Sequence, residues 1–303
     1  MSRLLDHCPG CESTAQRELC VTRDRHYHIR GEYRVVQCKT CELVFLNPMY
    51  EDWELAPLYP EDYYAYQDRF QESSGTRQFL KKLLRYEVGT KDPSFDLPGK
   101  VLDVGCGSGW FLVQMRDQGW EPHGVEISEA AARIGREQAN LPIFCGTLLD
   151  ADFPKDFFDY VRLNHSFEHM SRPNETLREI NRILKPGGRV LIGVPNHAGL
   201  TARIFGRYWW YLGVPVHPFN YSATNLTTLL TRIGLQIESL AYNSDFSGVL
   251  GSLQIWLNRN NGRKSTEGFL FSALPIRILC HWIAKTLDYC RRGDAIEIVA
   301  FKI

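Results

Sequence analysis

Three glycines with the spacing GxGxG, in the segment VLDVGCGSGWF at 101–111, constrain the fold of this chain more than any other feature. The residues before them are mostly branched aliphatics, as in a buried parallel strand, and the apolar residues from Trp110 onward predict a helix. Glycines in such a turn adopt backbone conformations closed to other residues and let a ligand lie against main-chain N–H groups. The pattern predicts a nucleotide-like ligand at Gly105, Gly107 and Gly109, and it differs from the GxGxxG of dinucleotide-binding proteins.

An acidic residue, Glu126, lies near the end of the next predicted strand, EPHGVEI at 121–127. In doubly wound sheets, ligands bind beyond the carboxyl ends of the strands, where a carboxylate can accept hydrogen bonds from both hydroxyls of a ribose. We therefore expect Glu126 to bind the ribose of the ligand.

Four motifs together resemble one enzyme superfamily. DVGCGSG and GVEIS resemble motif I and the acidic loop of class I S-adenosylmethionine-dependent methyltransferases. FFDYVRLNHSFEHMSRP at 157–173 resembles their fourth strand and the loop after it, and ILKPGGRVLIGVPN at 183–196 resembles the turn into their fifth strand. The resemblance covers most of residues 99–200. It implies an α/β fold with a doubly wound, Rossmann-like, seven-stranded sheet, whose last strand (296–303) runs antiparallel between the fifth and the sixth.

The same resemblance implies how S-adenosylmethionine is bound. Asp103 and the glycine turn would surround the methionyl and ribose parts, Glu126 would hold the ribose hydroxyls, and Ile127 would pack on the adenine. Many relatives have an aspartate where this chain has Thr147, so the contact to the adenine amino group is open. The full implied set is Asp103, Gly105, Gly107, Gly109, Glu126 and Ile127, with Thr147 and Leu148 at the edge of the adenine and Asn164 and His165 beside the sulfonium.

Methyl transfer is an in-line displacement on an activated sulfonium, so the protein chiefly aligns the reactants and excludes water. A base is needed only when the acceptor atom carries a proton that must leave. The loops after the fourth and fifth strands contain four candidate bases, each of which also has a purely structural interpretation: His165, Glu168, His169 and His217. His165 and His169 would face one another on a helix, but the sequence places no third ligand beside them, so no catalytic metal is predicted.

Two CxxC knuckles near the N-terminus, CPGC and CKTC, are separated by 26 residues. Each knuckle presents two sulfurs to one ion at about 2.3 Å, and the interval between them can hold a hairpin. Reduced structural cysteines or two disulfides are the alternative. We predict a structural zinc ion in a small N-terminal ribbon, held by Cys8, Cys11, Cys38 and Cys41.

Charge and composition bear on the choice of partner. The 303 residues are 44% hydrophobic, enough for one α/β domain and a smaller module. Basic and acidic residues balance at 35 each, and residues 1–60 carry seven Lys or Arg against nine Asp or Glu. An RNA-binding ribbon should be basic, so nucleic acid is not the expected partner. Without an apolar signal segment or a run long enough to span a membrane, the expected location is cytoplasmic.

The flanking segments resemble a narrower group of methyltransferases. CKTCELVFLNPMY, LYPEDYYAY and VHPFNYSATNLTTLLTRIGL resemble a bacterial group associated with surface-polysaccharide and deoxysugar pathways. That resemblance implies a small polar acceptor, a sugar or sugar nucleotide. Since the methyl group must point away from the adenosine toward the loops after the fourth and fifth strands, we expect the acceptor between the tyrosine-rich linker, the loop of Glu168 and His169, and the segment 208–221. An RNA methyltransferase that docks through the ribbon, and a regulatory protein that binds the cofactor without turnover, stay open as alternatives.

These interpretations divide the chain into three parts. Residues 1–50 are the predicted zinc ribbon. Residues 51–98 are an aromatic linker, with a helix at 78–88 that leads into the catalytic domain. Residues 99–303 are the methyltransferase domain, with inserted segments near 197–221 and 248–292.

Overall fold

The computed structural model describes residues 3–55, 90–261 and 263–303. The helix predicted at 78–88 and the tyrosines of the linker lie outside the described residues. The strands are β1 (Gln16–Thr22), β2 (Tyr33–Cys38), β3 (Val44–Leu46), β4 (Lys100–Val104), β5 (Glu121–Glu126), β6 (Ile143–Cys145), β7 (Phe158–Asn164), β8 (Leu184–Pro195), β9 (Phe219–Asn220), β10 (Leu235–Tyr242) and β11 (Ala295–Lys302).

The helices cover both faces of the larger sheet. They are α1 (Asp52–Leu55), α2 (Trp110–Asp117), α3 (Glu129–Ala139), α4 (Pro173–Ile183), α5 (Leu200–Phe205), α6 (Ala223–Arg232), α7 (Phe246–Leu257), α8 (Phe269–Ser272) and α9 (Leu274–Tyr289). Helix α4 shows why they form: it begins at Pro173, which has no N–H to leave unsatisfied, and it buries Leu177 and Ile180 one turn apart. Among the described residues, no helix has the length and apolar character needed to cross a bilayer.

Seven strands form the larger sheet, in the order β6-β5-β4-β7-β8-β11-β10. Strand β4 lies parallel to β5 and β7, whereas β11 is antiparallel to both β8 and β10. The predicted doubly wound sheet, with its final strand between the fifth and the sixth, is confirmed. The aliphatic side chains of the central strands are buried, so ligands have access at the carboxyl ends of the parallel strands.

A smaller antiparallel sheet has the order β1-β2-β3-β9. Its first three strands come from the N-terminal segment, but β9 lies between β8 and α6 in the chain, and Phe219 of β9 pairs with Phe45 of β3. The small sheet is therefore completed by a segment of the predicted methyltransferase domain. The domain boundary near residue 50 stays a prediction.

A column of buried aromatic rings joins the two sheets. The ring of Phe219 lies 6.4 Å from that of Phe45 and 6.0 Å from that of Tyr221, and Tyr221 stacks at 5.0 Å on Phe167. All four side chains are fully buried. Since Phe167 belongs to the loop that follows β7, the small sheet supports the loop that carries three of the four candidate bases.

Replacement of Phe219 by alanine should test this column. Phe219→Ala removes a fully buried ring and leaves a cavity, so the free energy of unfolding should fall by about 3–5 kcal/mol. Phe269 is 68% exposed, and Phe269→Ala should change the free energy of unfolding by less than about 0.5 kcal/mol. Urea denaturation followed by circular dichroism measures both. Equal effects of the two substitutions would contradict the role given to the column.

Candidate functional site

A cavity of about 550 Å³ lies at the carboxyl ends of the parallel strands. Every residue of the implied cofactor set lines it except Gly109. A Cβ atom at Gly109 would lie 2.4 Å from Leu141, and the residue has φ +84°. Gly109 therefore permits close packing of the turn, and the residues of the turn that face a ligand are Gly105 to Ser108.

The glycine turn and Glu126 are hydrogen-bonded to each other. The carboxylate of Glu126 accepts hydrogen bonds from the backbone N–H of Gly107 and of Ser128, both at 2.8 Å. Each of its oxygens keeps a second lone pair for a ligand hydroxyl. Burial raises the pKa of Glu126, and these N–H donors act against that rise. Gly105 has φ +76° and its Cβ position lies 2.5 Å from Ser166, so a larger residue would not fit there.

The wall next to Glu126 contains Ile127, Thr147 and Leu148. Ile127 is 37% exposed, so its side chain is accessible to a ring stacked on it. The hydroxyl of Thr147 donates to Asp150 at 2.5 Å and caps the short helical turn at Leu148–Asp150. Since that hydrogen is already donated, Thr147 contributes mainly shape to this wall.

Asp103 is paired with an arginine that the sequence analysis missed. Arg162 of β7 lies directly opposite Asp103 in the parallel register, and its Nη1 is 3.2 Å from Asp103 Oδ1. Its Nε is 3.3 Å from Asp92, and its guanidinium lies 4.1 Å from the ring centroid of Phe111. Burial raises the pKa of Asp103 to about 6, although Arg162 favours the charged form. A charged residue inside the apolar run YVRLN was the signal in the sequence.

The loop after β7 places His165 on the cavity wall and Glu168 behind it. Nδ1 of His165 is 3.4 Å from Oε1 of Glu168, and its ring stacks on Tyr211 at 6.5 Å. Burial lowers the pKa of His165, but the Glu168 carboxylate more than offsets this and the net direction is upward. Burial acts to raise the pKa of Glu168, yet its hydrogen bond to His165 and the nearby histidines hold it at about 2.

His169 and His217 approach each other, with ring centroids 4.6 Å apart. Nδ1 of His169 donates to the Val216 carbonyl at 2.7 Å, and Nδ1 of His217 donates to the Tyr211 carbonyl at 2.9 Å. Burial lowers the pKa of His217 to about 3. His169 lines the cavity, whereas His217 and Glu168 do not.

The expected helical relation between His165 and His169 is wrong. Strand β7 ends at Asn164, His165 has φ +53°, and only a single 3-10 turn, Phe167–His169, follows. The ring next to His169 is that of His217. A Cβ atom at Gly213 would lie 2.4 Å from the His217 ring, so this position needs a glycine, which also suits its φ of +56°.

Of the four aromatic residues at 208–211, only Tyr211 lines the cavity. Trp209 is buried and donates its indole N–H to Asp294, and Trp210 packs edge-on against His26. Three polar residues complete the wall near Tyr211, and sequence analysis missed all of them: Asn243, Asp245 and Glu297.

The four knuckle cysteines converge as predicted for a metal site. Sγ of Cys8 is 3.6 Å from Sγ of Cys41, and Sγ of Cys11 is 3.5 Å from Sγ of Cys38. These separations are too long for disulfides and near the roughly 3.8 Å between sulfurs of a zinc tetrahedron with bonds of about 2.3 Å. The N–H of Gly10 points at Cys8 Sγ. The donor set fits zinc.

The family model for the methyltransferase domain matches residues 71–240, more than half of the chain. The chain belongs to this methyltransferase family.

Among curated relatives of this methyltransferase, a demethylmenaquinone methyltransferase from Listeria welshimeri is 30% identical over 148 residues, 45% of this chain. A ubiquinone biosynthesis O-methyltransferase from Alkalilimnicola ehrlichii is 33% identical over 32% of this chain. The matches span 58% and 42% of those relatives.

One chain of the complex between the Haloferax volcanii Trm112 methyltransferase activator and a methyltransferase has a similar structure. Its TM-score is 0.50 at 20% identity, over 73% of this chain and 88% of that chain. At this identity the likeness shows the fold alone, which agrees with the class I methyltransferase fold predicted from the motifs. The family match carries no information about the zinc ribbon or about sugar-modifying pathways, so both stay predictions.

Loss of the Glu126 carboxylate should weaken binding of S-adenosylmethionine. Glu126→Ala removes two acceptors for the ribose hydroxyls, so the binding free energy should fall by about 1.5–3 kcal/mol in calorimetry. Glu129→Ala serves as the control, because that exposed carboxylate pairs with Arg136, two turns further along α3. Unchanged affinity of Glu126→Ala would refute the assignment.

Zinc should be bound through thiolates, one ion per chain at the knuckles. Cobalt substituted there should give sulfur-to-metal charge-transfer absorption, and Cys41→Ser should remove it, whereas Cys290→Ser, at an exposed thiol, should not. Chelation should increase hydrogen exchange in residues 3–50 before it lowers cofactor affinity. Absence of that absorption in the unmodified protein would exclude the site.

Proposed function

We propose that this protein transfers a methyl group from S-adenosylmethionine to a hydroxylated small molecule, a sugar or sugar nucleotide. One observation carries the proposal: the same cavity contains the glycine turn with Glu126 and, on another part of its wall, His165 among aromatic and acidic side chains. Family membership supports the cofactor, and the lining of the cavity supports the acceptor class.

The sheet order separates the two halves of the cavity. The residues assigned to adenosine follow β4, β5 and β6, on one side of the sheet, whereas those near Tyr211 belong to β7, β10, β11 and their adjoining loops. When bound, the cofactor supplies a methyl group on a positively charged sulfur. Asn164 is the last residue of β7, the strand between the two halves, and His165 follows it, so we place the transferred methyl beside them.

Three features of the second half suit a polyhydroxylated acceptor. Asp245 and Glu297 supply carboxylates, and Asn243 supplies an amide, groups that bind hydroxyls in pairs. These groups are fixed in place, because Tyr211 donates to Asp245 at 2.8 Å and Asn243 donates to Glu297 at 2.7 Å. The Tyr211 ring offers an apolar face on which a sugar ring can pack. The aromatic linker, proposed as a further wall, lies outside the described residues.

His165 is the base that this geometry favours. It lines the cavity, and Glu168 holds its Nδ1, which leaves Nε2 to accept a proton. During methyl transfer, Nε2 of His165 would accept the proton that leaves the acceptor hydroxyl. Glu168 is a positioning residue, since it orients the ring from behind the wall.

The acceptor should be identified with labelled S-adenosylmethionine and parallel panels of sugar nucleotides, demethylated quinones and RNA. We expect label in a sugar nucleotide. Two relatives are named for quinone pathways, so the quinone panel tests the second acceptor class. Label in RNA alone would support docking through the ribbon, and cofactor binding without transfer to any panel would contradict the sugar proposal and favour a regulatory role.

A variant of Tyr211 should separate acceptor binding from cofactor binding. Tyr211→Ala removes the ring face, so KM for the acceptor should rise about tenfold, the equivalent of about 1.4 kcal/mol, with the cofactor Kd unchanged. Tyr208→Ala is the matched control, because Tyr208 lies under Arg25 and does not line the cavity. An equal rise in both variants, or a loss of cofactor affinity in Tyr211→Ala, would place the acceptor elsewhere.

A further inference from the structure

Glu168, His169 and His217 form a cluster of which methyl transfer as proposed above uses only one atom, Oε1 of Glu168. One ligand atom of each residue, a carboxylate oxygen or an imidazole nitrogen, lies within 4.8 Å of the other two. The cluster is separate from the four cysteines and borders the cavity through His169.

The hydrogen bonds of the two histidines fix which nitrogen carries the proton. A carbonyl oxygen can only accept, so Nδ1 of His169 and Nδ1 of His217 each donate to a backbone carbonyl, that of Val216 and that of Tyr211. In the neutral imidazole, the remaining nitrogen, Nε2, then has a lone pair. A donated N–H that orients the ring and raises the basicity of the opposite nitrogen is the usual support for a metal-bound histidine.

Glu168 adds a negative charge with an unsatisfied acceptor. Its side chain is 2% exposed, Oε1 interacts with His165, and Oε2 is buried without a hydrogen-bond partner among the described residues. A buried carboxylate oxygen without a partner is costly unless a cation or a donor satisfies it. Two imidazole nitrogens oriented as acceptors cannot donate to it in that state. A bound cation would satisfy Oε2 of Glu168.

We propose that Glu168, His169 and His217 bind a divalent cation of the zinc type at the acceptor end of the cavity. Two imidazoles and one carboxylate match ions such as Zn²⁺, Co²⁺ or Fe²⁺ better than Mg²⁺, which prefers oxygen ligands. Metal bonds of about 2.0–2.2 Å hold ligand atoms about 3.3 Å apart, so small side-chain rotations would close the site. Three protein ligands leave coordination positions open, and an oxygen of a bound acceptor can take one.

The first experiment counts metal ions in the full-length protein with zinc at the knuckles. Titration with Co²⁺ or Zn²⁺ in a calorimeter should show one additional equivalent per chain. Bound Co²⁺ should give the weak absorption of nitrogen and oxygen ligands, without the sulfur-to-metal charge transfer of the knuckles. These readouts need no acceptor and no turnover, so their outcome does not depend on the proposed methyl transfer.

Variants assign the additional equivalent to the cluster. His217→Ala and Glu168→Gln should each lower the affinity for the additional ion at least a hundredfold, more than is typical for loss of a supporting hydrogen bond. His28→Ala, at an exposed histidine, should leave the affinity for the additional ion unchanged. The S-adenosylmethionine Kd of each variant shows that the fold is retained, and His217→Ala decides the question if the buried Glu168→Gln is unstable. Failure of the zinc-loaded protein to bind a further ion, or equal binding by His217→Ala, would show that the cluster is only a hydrogen-bonded network.

Discussion

The carboxylate of Glu126, held by the N–H groups of Gly107 and Ser128, is the interaction on which the cofactor half of the site depends. It ties the turn after β4 to the start of α3, so two neighbouring strand ends present one surface. The N–H of Gly105 bonds to the Val125 carbonyl and adds a second tie between the same strands. A ligand that adds hydroxyls to this carboxylate meets a surface already organised, and little ordering entropy opposes its binding.

The small sheet has a structural role that a metal at the knuckles would not explain. Zinc there would fix the turns of the N-terminal segment, but the contact with the larger sheet runs through Phe45, Phe219, Tyr221 and Phe167. Two hydrogen bonds also join the first knuckle to the helices: Asn174 of α4 donates to the Pro9 carbonyl, and Arg232 of α6 donates to the Gly10 carbonyl. The first knuckle is therefore held against the helices that cover the sheet. This arrangement fits a ribbon that supports the loop after β7.

Sequence alone predicted the features that depend on local pattern. The glycine spacing, the acidic residue near the end of β5 and the motifs around β7 and β8 are short-range signals. The superfamily that these motifs resemble implied the sheet, including the antiparallel final strand. The cysteine spacing likewise predicted which four sulfurs converge. The pairing of His169 with His217 could not be predicted, because it depends on how the segment after β8 folds back over the loop after β7. Asn243 and Glu297 were missed for a similar reason: they meet only because β10 and β11 are neighbours in the sheet.

Glu168 links the two chemical roles proposed for this loop. Its Oε1 interacts with His165, which faces the cavity, and its Oε2 is a buried acceptor for which the part of the chain that the structure describes offers no hydrogen-bond partner. A cation bound at Oε2 would withdraw negative charge from Oε1 and weaken the interaction of Oε1 with His165. Such an ion would then make His165 a weaker base while it offered its own open positions to the acceptor oxygen. The proposed metal site and the proposed base would therefore be coupled through one carboxylate. The ion and His165 would both act on the acceptor's oxygen, and a stronger effect of the ion would accompany a weaker effect of His165.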